Sequence, residues 1–151
     1  MARLILDTGV LISSVGGQYD LSVMADEDDM ALPAVVVAEY LAGLLVDNEH
    51  GRRTVQRAFL DEVLSVIPVA PYDHKVAEHH AELLAHTRRT GRKRGTHDLI
   101  IAATALATNR ILVTTDECAR FDELPKLRTR LLRTVSTHSS AESVASADGL
   151  T

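Results

Sequence analysis

Arg3-Leu4-Ile5-Leu6-Asp7-Thr8 is a short apolar run that ends abruptly on a carboxylate. Apolar residues in succession, without polar alternation, suit a strand covered on both faces, as in a parallel sheet lying between helices. The same grammar returns near the other end of the chain, in Ile111-Leu112-Val113-Thr114-Thr115-Asp116. These two runs set the expectation of an α/β fold with a mostly parallel central sheet sandwiched by helices, in a single domain.

Working outward, Thr8 to Ser14 reads as a short helix broken by Gly16-Gly17, and Asp20 to Asp29 as a weak acidic helix. Met30-Ala31-Leu32 is a second strand. Pro33 suits the first turn of a helix that continues from Ala34 to Leu45. A loop at Asp47 to Gly51 leads to a helix from Arg52 to Ser65, and Val66-Ile67-Pro68-Val69 reads as a strand. Asp73 to Arg89 has the spacing of an amphipathic helix, with Val76, Ala77, Ala81 and Leu84 on one side. A charged loop, Arg88 to Gly95, precedes a helix from His97 to Asn109 that Thr96 is placed to cap. After the strand at Ile111, a short helix or turn is expected from Asp116 to Phe121, and a last short strand within Arg128 to Val135. Residues 1–135 are thus assigned to the domain. Residues 136–151, rich in Ser and Ala, read as a mobile tail.

The 151 residues are 46% hydrophobic and 25% charged, ordinary values for a soluble globular chain. Aromatics make up 3% and Trp is absent, so the core is aliphatic and a base-stacking platform of exposed rings is disfavoured. A net charge of −5 is not that of a protein that coats duplexes. Cys118 is the single cysteine, so no internal disulfide forms and a reducing compartment fits. No apolar stretch approaches a signal peptide or a membrane span, which makes the cytoplasm the expected location.

Four acids stand against apolar segments: Asp7, Glu39, Asp98 and Asp116. Burying an unpaired carboxylate is costly, and grouping several adds repulsion, so such a set implies a cation. Each acid also has an ordinary reading. Asp7 and Asp116 could cap the helices that follow them, and Asp98 could serve the dipole in a first helical turn. Glu39 has Val35, Val36, Ala42 and Gly43 as helical neighbours and no base within a turn, poor company for a solvent-facing carboxylate. Jointly, the acids lie at strand ends, or on helices beside them, where open parallel sheets bind ligands.

Arg88-Arg89-Thr90-Gly91-Arg92-Lys93-Arg94 holds five cations in seven positions just upstream of Asp98. The ordinary reading is a solvated loop; the functional one is a phosphate-binding surface. His79, His80 and His86 lack the spacing of a zinc protease and read as a polar face. His97 could assist Asp98, although a helix-start role is simpler. Cys118 has no His signature of a thiol nucleophile, and Gly91 and Gly95 lack the spacing of a phosphate-binding loop.

Taken together, the chain resembles the PIN-domain ribonucleases, and in particular the VapC-type toxins of toxin–antitoxin pairs. The resemblance rests on Leu4-Ile5-Leu6-Asp7-Thr8-Gly9-Val10-Leu11-Ile12, Ala38-Glu39-Tyr40-Leu41-Ala42-Gly43-Leu44, Thr96-His97-Asp98-Leu99-Ile100-Ile101-Ala102-Ala103-Thr104-Ala105 and Leu112-Val113-Thr114-Thr115-Asp116, in that order. It covers roughly residues 2 to 135. It implies that Asp7, Glu39, Asp98 and Asp116 form the family's acidic quartet, with Asp7 and Asp98 as principal ligands of Mg²⁺ or Mn²⁺, Glu39 and Asp116 acting directly or through water, and Thr8 or Thr115 as a helper. It further implies an RNA substrate, single-stranded or structured, positioned by Arg88, Arg89, Arg92, Lys93 and Arg94. A cognate antitoxin and a homodimer are also implied, with no membrane partner. Pro33 departs from a Ser or Thr often found there, which affects helix entry. The rival readings are a PIN nuclease of RNA processing without an antitoxin and an inert PIN-like interaction module. A haloacid-type phosphatase wants a second Asp two residues after Asp7, where this chain has Gly9.

Overall fold

In the computed structural model, residues 1–133 are described. The expected tail, 136–151, lies outside them. Five strands, β1 (Arg3–Leu6), β2 (Asp29–Pro33), β3 (Val69–Ala70), β4 (Ile111–Thr114) and β5 (Thr129–Leu131), form one sheet in the order β3-β2-β1-β4-β5. Every pairing is parallel. Six helices accompany it: α1 (Thr8–Val15), α2 (Leu21–Glu27), α3 (Ala34–Val46), α4 (His50–Val66), α5 (His74–Thr90) and α6 (Thr96–Ala107). A 3-10 turn at Phe121–Glu123 precedes β5.

β1 and β4 lie at the centre, and their apolar residues Leu4, Ile5, Leu6, Leu112 and Val113 are wholly buried. That is the burial expected of uninterrupted apolar strands. α6 packs against α5, α3 and β4, and α3 packs against α1 and α4. Arg110 fastens the opposite end of the sheet: its Nη1 donates to the carbonyls of Leu4 and Asp29, on β1 and β2. No helix among the described residues is long and apolar enough to cross a membrane.

Several local expectations change. Val66 still belongs to α4, and Ile67 is its C-cap, buried in the core rather than paired in a strand. Strand pairing is confined to Val69–Ala70, beyond Pro68, whose missing N–H disfavours earlier pairing. Pro33 is the last residue of β2 and the N-cap of α3, and Gly95, not Thr96, caps α6. Along α5, the buried residues are Val76 and Leu83, while Ala81 faces solvent.

The strand order creates the site. Numbering falls from β3 to β1 on one side of the sheet and rises from β4 to β5 on the other. The chain therefore switches direction between β1 and β4, opening a crevice beyond their C-terminal ends. Asp7 follows β1 and Asp116 lies just beyond β4.

Candidate active site

Asp7 is the N-cap of α1, and its side chain accepts from the Thr8 N–H at 2.7 Å. Its second oxygen accepts from the Thr114 hydroxyl at 2.8 Å. That same hydroxyl accepts from the Asp116 N–H at 3.0 Å. Thr114 is buried at the end of β4, so one oxygen atom ties both strand-end acids together. Asp7 is itself 7% exposed, and burial pushes its carboxyl above the ordinary range. The bonds from Thr114 and Thr8 oppose that rise, and the charge of Asp116 adds to it.

Asp98 lies in the first turn of α6, half-buried. Its carboxyl is also raised, first by burial and then by the negative charges of Asp7, Asp116 and Glu39, with His97 opposing. Four acids from four parts of the chain thus act on one electrostatic site. They are not equally buried. Only Asp7 is buried, Glu39 and Asp98 are intermediate, and Asp116 is exposed. The expectation of four carboxylates held against apolar surroundings is therefore corrected for Asp116. Its Oδ1 accepts from the N–H groups of Cys118 and Ala119, which turns the chain after β4 and satisfies the carboxylate locally.

Glu39 Oε1 is sealed from solvent without a hydrogen-bond partner, and the nearest base, His97 Nδ1, stands at 3.7 Å. The Thr8 hydroxyl is likewise buried without a partner. Thr115 packs over Gly9, where a Cβ would come within 2.5 Å of its Oγ1; glycine is what lets α1 start so close to β4. Sequence reasoning selected Thr8 and Thr115 as helpers and did not assign to Thr114 the tie between Asp7 and Asp116. The available signal was its place as the last buried residue of β4, directly before the turn that carries Asp116.

These groups fit a hard divalent cation. An orphaned carboxylate oxygen and a carboxyl raised by burial and then by three neighbouring negative charges both call for a positive partner. Among the described residues, no group of three or more His, Cys, Asp or Glu side chains is placed to hold a metal ion by itself. Mg²⁺ does not need one, since it is typically held by one or two carboxylates, water and substrate phosphate.

The basic segment divides in two. Arg88 and Arg89 belong to the last turn of α5, where cations favour the helix dipole, and Gly91 ends the helix with φ 67°. Arg92, Lys93, Arg94, Arg120 and Glu123 share with Asp98 a cleft of about 470 Å³. Arg94 has a different occupation from the one expected of it. Its side chain is 10% exposed, and its guanidinium donates to the carbonyls of Ala119 and Arg120 and to Glu123. It fastens the basic segment to the turn after Asp116. Arg92 keeps 65% of its side chain in solvent while pairing with Glu123 at 2.9 Å.

A protein-family model described as PIN domain matches residues 4–127. The chain is 32% identical over 121 residues to the VapC ribonuclease Y4jK of Sinorhizobium fredii, covering 75% of this chain and 86% of that protein. It is 27% identical over 126 residues to a Ribonuclease VapC of Rickettsia bellii, covering 82% and 94%. Its fold superposes with a TM-score of 0.68, at 25% identity, on a member of the VapBC family of toxin-antitoxin systems, VapBC-5 from Mycobacterium tuberculosis, covering 88% of this chain and 99% of that one.

Proposed function

The chain belongs to the PIN domain family, and from that premise we propose that it is an endoribonuclease, the toxin of a toxin–antitoxin pair, which hydrolyses RNA phosphodiester bonds with Mg²⁺ or Mn²⁺. The observation that carries this reading is that one buried hydroxyl, of Thr114, ties Asp7 and Asp116 together at the switch point of a parallel sheet, and the half-buried Asp98 feels their charge as well. The nuclease is assigned to residues 1–135, and 136–151 to a tail.

Asp7 and Asp98 would be the principal ligands of the metal, which when bound would supply polarisation of the scissile phosphodiester and a lowered pKa for the attacking water. The chain's own groups do the rest. Thr8 and Thr114 hold the Asp7 carboxylate in one orientation, so that no rotation is needed when the substrate arrives. Glu39, with an unpaired oxygen already withdrawn from bulk solvent, orients the water. Asp116 has one oxygen fixed by its turn and completes the negative site with the other. Thr8 and Thr115 lie beside this group as helpers. Arg88, Arg89, Arg92 and Lys93 offer cations to the RNA backbone, with Arg94 as the brace behind them.

A nuclease of this kind must be kept from cellular RNA. A cognate antitoxin is the partner, covering the acidic cleft with a basic side chain, and the toxin works as a homodimer. RNA as substrate puts that work in the cytoplasm.

The test is cleavage mapping on total RNA. Wild type with Mg²⁺ produces discrete 5′ ends that Asp7→Asn does not, and Glu39→Gln loses most cleavage while still binding RNA. Identical maps for wild type and Asp7→Asn would defeat the reading.

A further inference from the structure

Arg120 stands out for its backbone. It is one of three residues other than glycine with positive φ among the described residues, at φ 48° and ψ 46°. A side chain in the left-handed region is strained, and such strain persists only where the surroundings impose it. They do so here. The Arg120 N–H donates to the Glu117 carbonyl, and its own carbonyl accepts from Glu123 N–H and from Arg94 Nη1. The turn itself is built on the Asp116 carboxylate, through the N–H groups of Cys118 and Ala119. A glycine would take this conformation without strain, yet the position holds an arginine.

The guanidinium so presented is largely free. The Arg120 side chain is 67% exposed, and its ion-pair contact is with Glu123 at 3.9 Å. The same Glu123 pairs more closely with Arg92 and Arg94. Arg120 is in the wall of two clefts at once. One is the basic cleft with Asp98, Arg92 and Lys93. The other, about 400 Å³, is lined by Thr114, Asp116, Phe121, Asp122, Thr129 and Leu131, among others. Arg120 is thus the cation on the ridge between the approach to Asp98 and the approach to Asp116.

We propose that Arg120 is a substrate-positioning residue. Its guanidinium binds the RNA phosphate next to the scissile one, on the ridge between the two clefts, and so sets which phosphodiester lies over the acids. This inference rests on the ribonuclease reading and adds a residue to it. It separates two kinds of cation. Arg92 and Lys93 gather the backbone, and losing them weakens binding. Arg120 fixes the backbone within reach of the chemistry, and losing it also disturbs the alignment from which the reaction starts. A fork of parallel N–H donors suits that task and a lysine does not.

The experiment uses the full chain with Mg²⁺ and a synthetic single-stranded RNA spanning a site that the wild type cuts in total RNA. Arg120→Gly is the primary variant, because it removes the side chain and relieves the backbone strain. Its thermal midpoint should equal or exceed that of the wild type, which separates lost activity from lost folding. Its kcat/KM should fall about tenfold to a hundredfold, the range for a charge-assisted hydrogen bond, with kcat itself lowered. Arg120→Lys should recover only part of that loss. Arg92→Ala with Lys93→Ala should raise KM and leave kcat in place. A wild type that cuts, beside an Arg120→Gly protein with unchanged kcat and kcat/KM, would overturn the proposal alone. A wild type that leaves RNA intact would remove the nuclease reading and this proposal with it.

Discussion

Replacing Thr114 by Val keeps the shape of the side chain and deletes one hydroxyl. That hydroxyl donates to the buried Asp7 carboxylate at 2.8 Å and accepts from the Asp116 N–H at 3.0 Å. A hydrogen bond to a charged group contributes about 1.5–3 kcal/mol, and a neutral one about 1 kcal/mol. The extra apolar contact of Val returns less than about 1 kcal/mol. The net loss should be about 2–4 kcal/mol, a fall in Tm of roughly 5–15 °C for a domain of this size. Thr114→Ser is the control. It keeps both bonds and gives up one methyl group, about 1 kcal/mol. Thermal and urea unfolding of metal-free protein, followed by circular dichroism, compares the three. The sign of the pH dependence follows from which form of Asp7 the hydroxyl favours. It favours the carboxylate, so the cost of Val should be largest where Asp7 is ionised and should shrink as acid protonates it. Cleavage should drop further in Val than in Ser, because Asp7 is then free to turn. A Val variant as stable as the Ser variant at neutral pH would refute the claim that this hydroxyl ties the two acids together.

Asp98 has a raised carboxyl, so the folded state retains a proton that the unfolded chain has already released; raising the pH from about 4 through that range subtracts stability. Metal-free Asp98→Asn should therefore gain on wild type as pH rises from 4 to 7, and urea titrations that show no change in the stability difference across that span would count against the shared site. Mg²⁺ at 100 times its Kd should stabilise wild type by about 2.7 kcal/mol and the Asn variant far less, measured as a shift in Tm. Arg92→Ala with Lys93→Ala, read in an Asp7→Asn background so that RNA survives, should flatten the slope of log affinity against log salt by about 1.4, two phosphate contacts at about 0.7 each. Arg94→Ala should instead cost about 1.5–3 kcal/mol of stability, seen in urea unfolding, since its guanidinium is spent on Ala119, Arg120 and Glu123.

The two central strands were legible because full burial leaves a local mark: Leu4 to Leu6, and Leu112 with Val113, are wholly buried and apolar. The acids were legible for the complementary reason, as charges set against such runs. What local patterning could not supply was partnership across the chain. Arg94 looked like Arg92 because its acceptors lie 25 or more residues further on. Thr114 and Thr115 are equivalent as neighbours in sequence, and only the pairing of Leu6 with Val113 decides which of them faces Asp7. The turn after Asp116, and the acid's place in capping it, were legible; the apolar run before it did not show that the carboxylate itself stays exposed. The segment Val66-Ile67 has strand propensity, yet helix α4 runs through Val66 and Ile67 is spent on the core, an instance of tertiary packing overriding local preference.

The bond between Thr114 and Asp7 joins residues 107 apart in the chain. A ribosome making this protein therefore works beside an unfinished enzyme for most of the time it spends on it. Until β4 has emerged and paired with β1, Asp7 has no Thr114 to hold it and Asp116 has not been added. A pairing so distant is also slow to form. The strand order thus delays the acidic site until nearly the whole fold has been translated. Chains stalled before Ile111 should leave RNA intact, whereas chains that extend past Leu131 with a linker to clear the ribosome should cut it. Cleavage by the shorter stalled chains would show that the acids assemble without the central pairing.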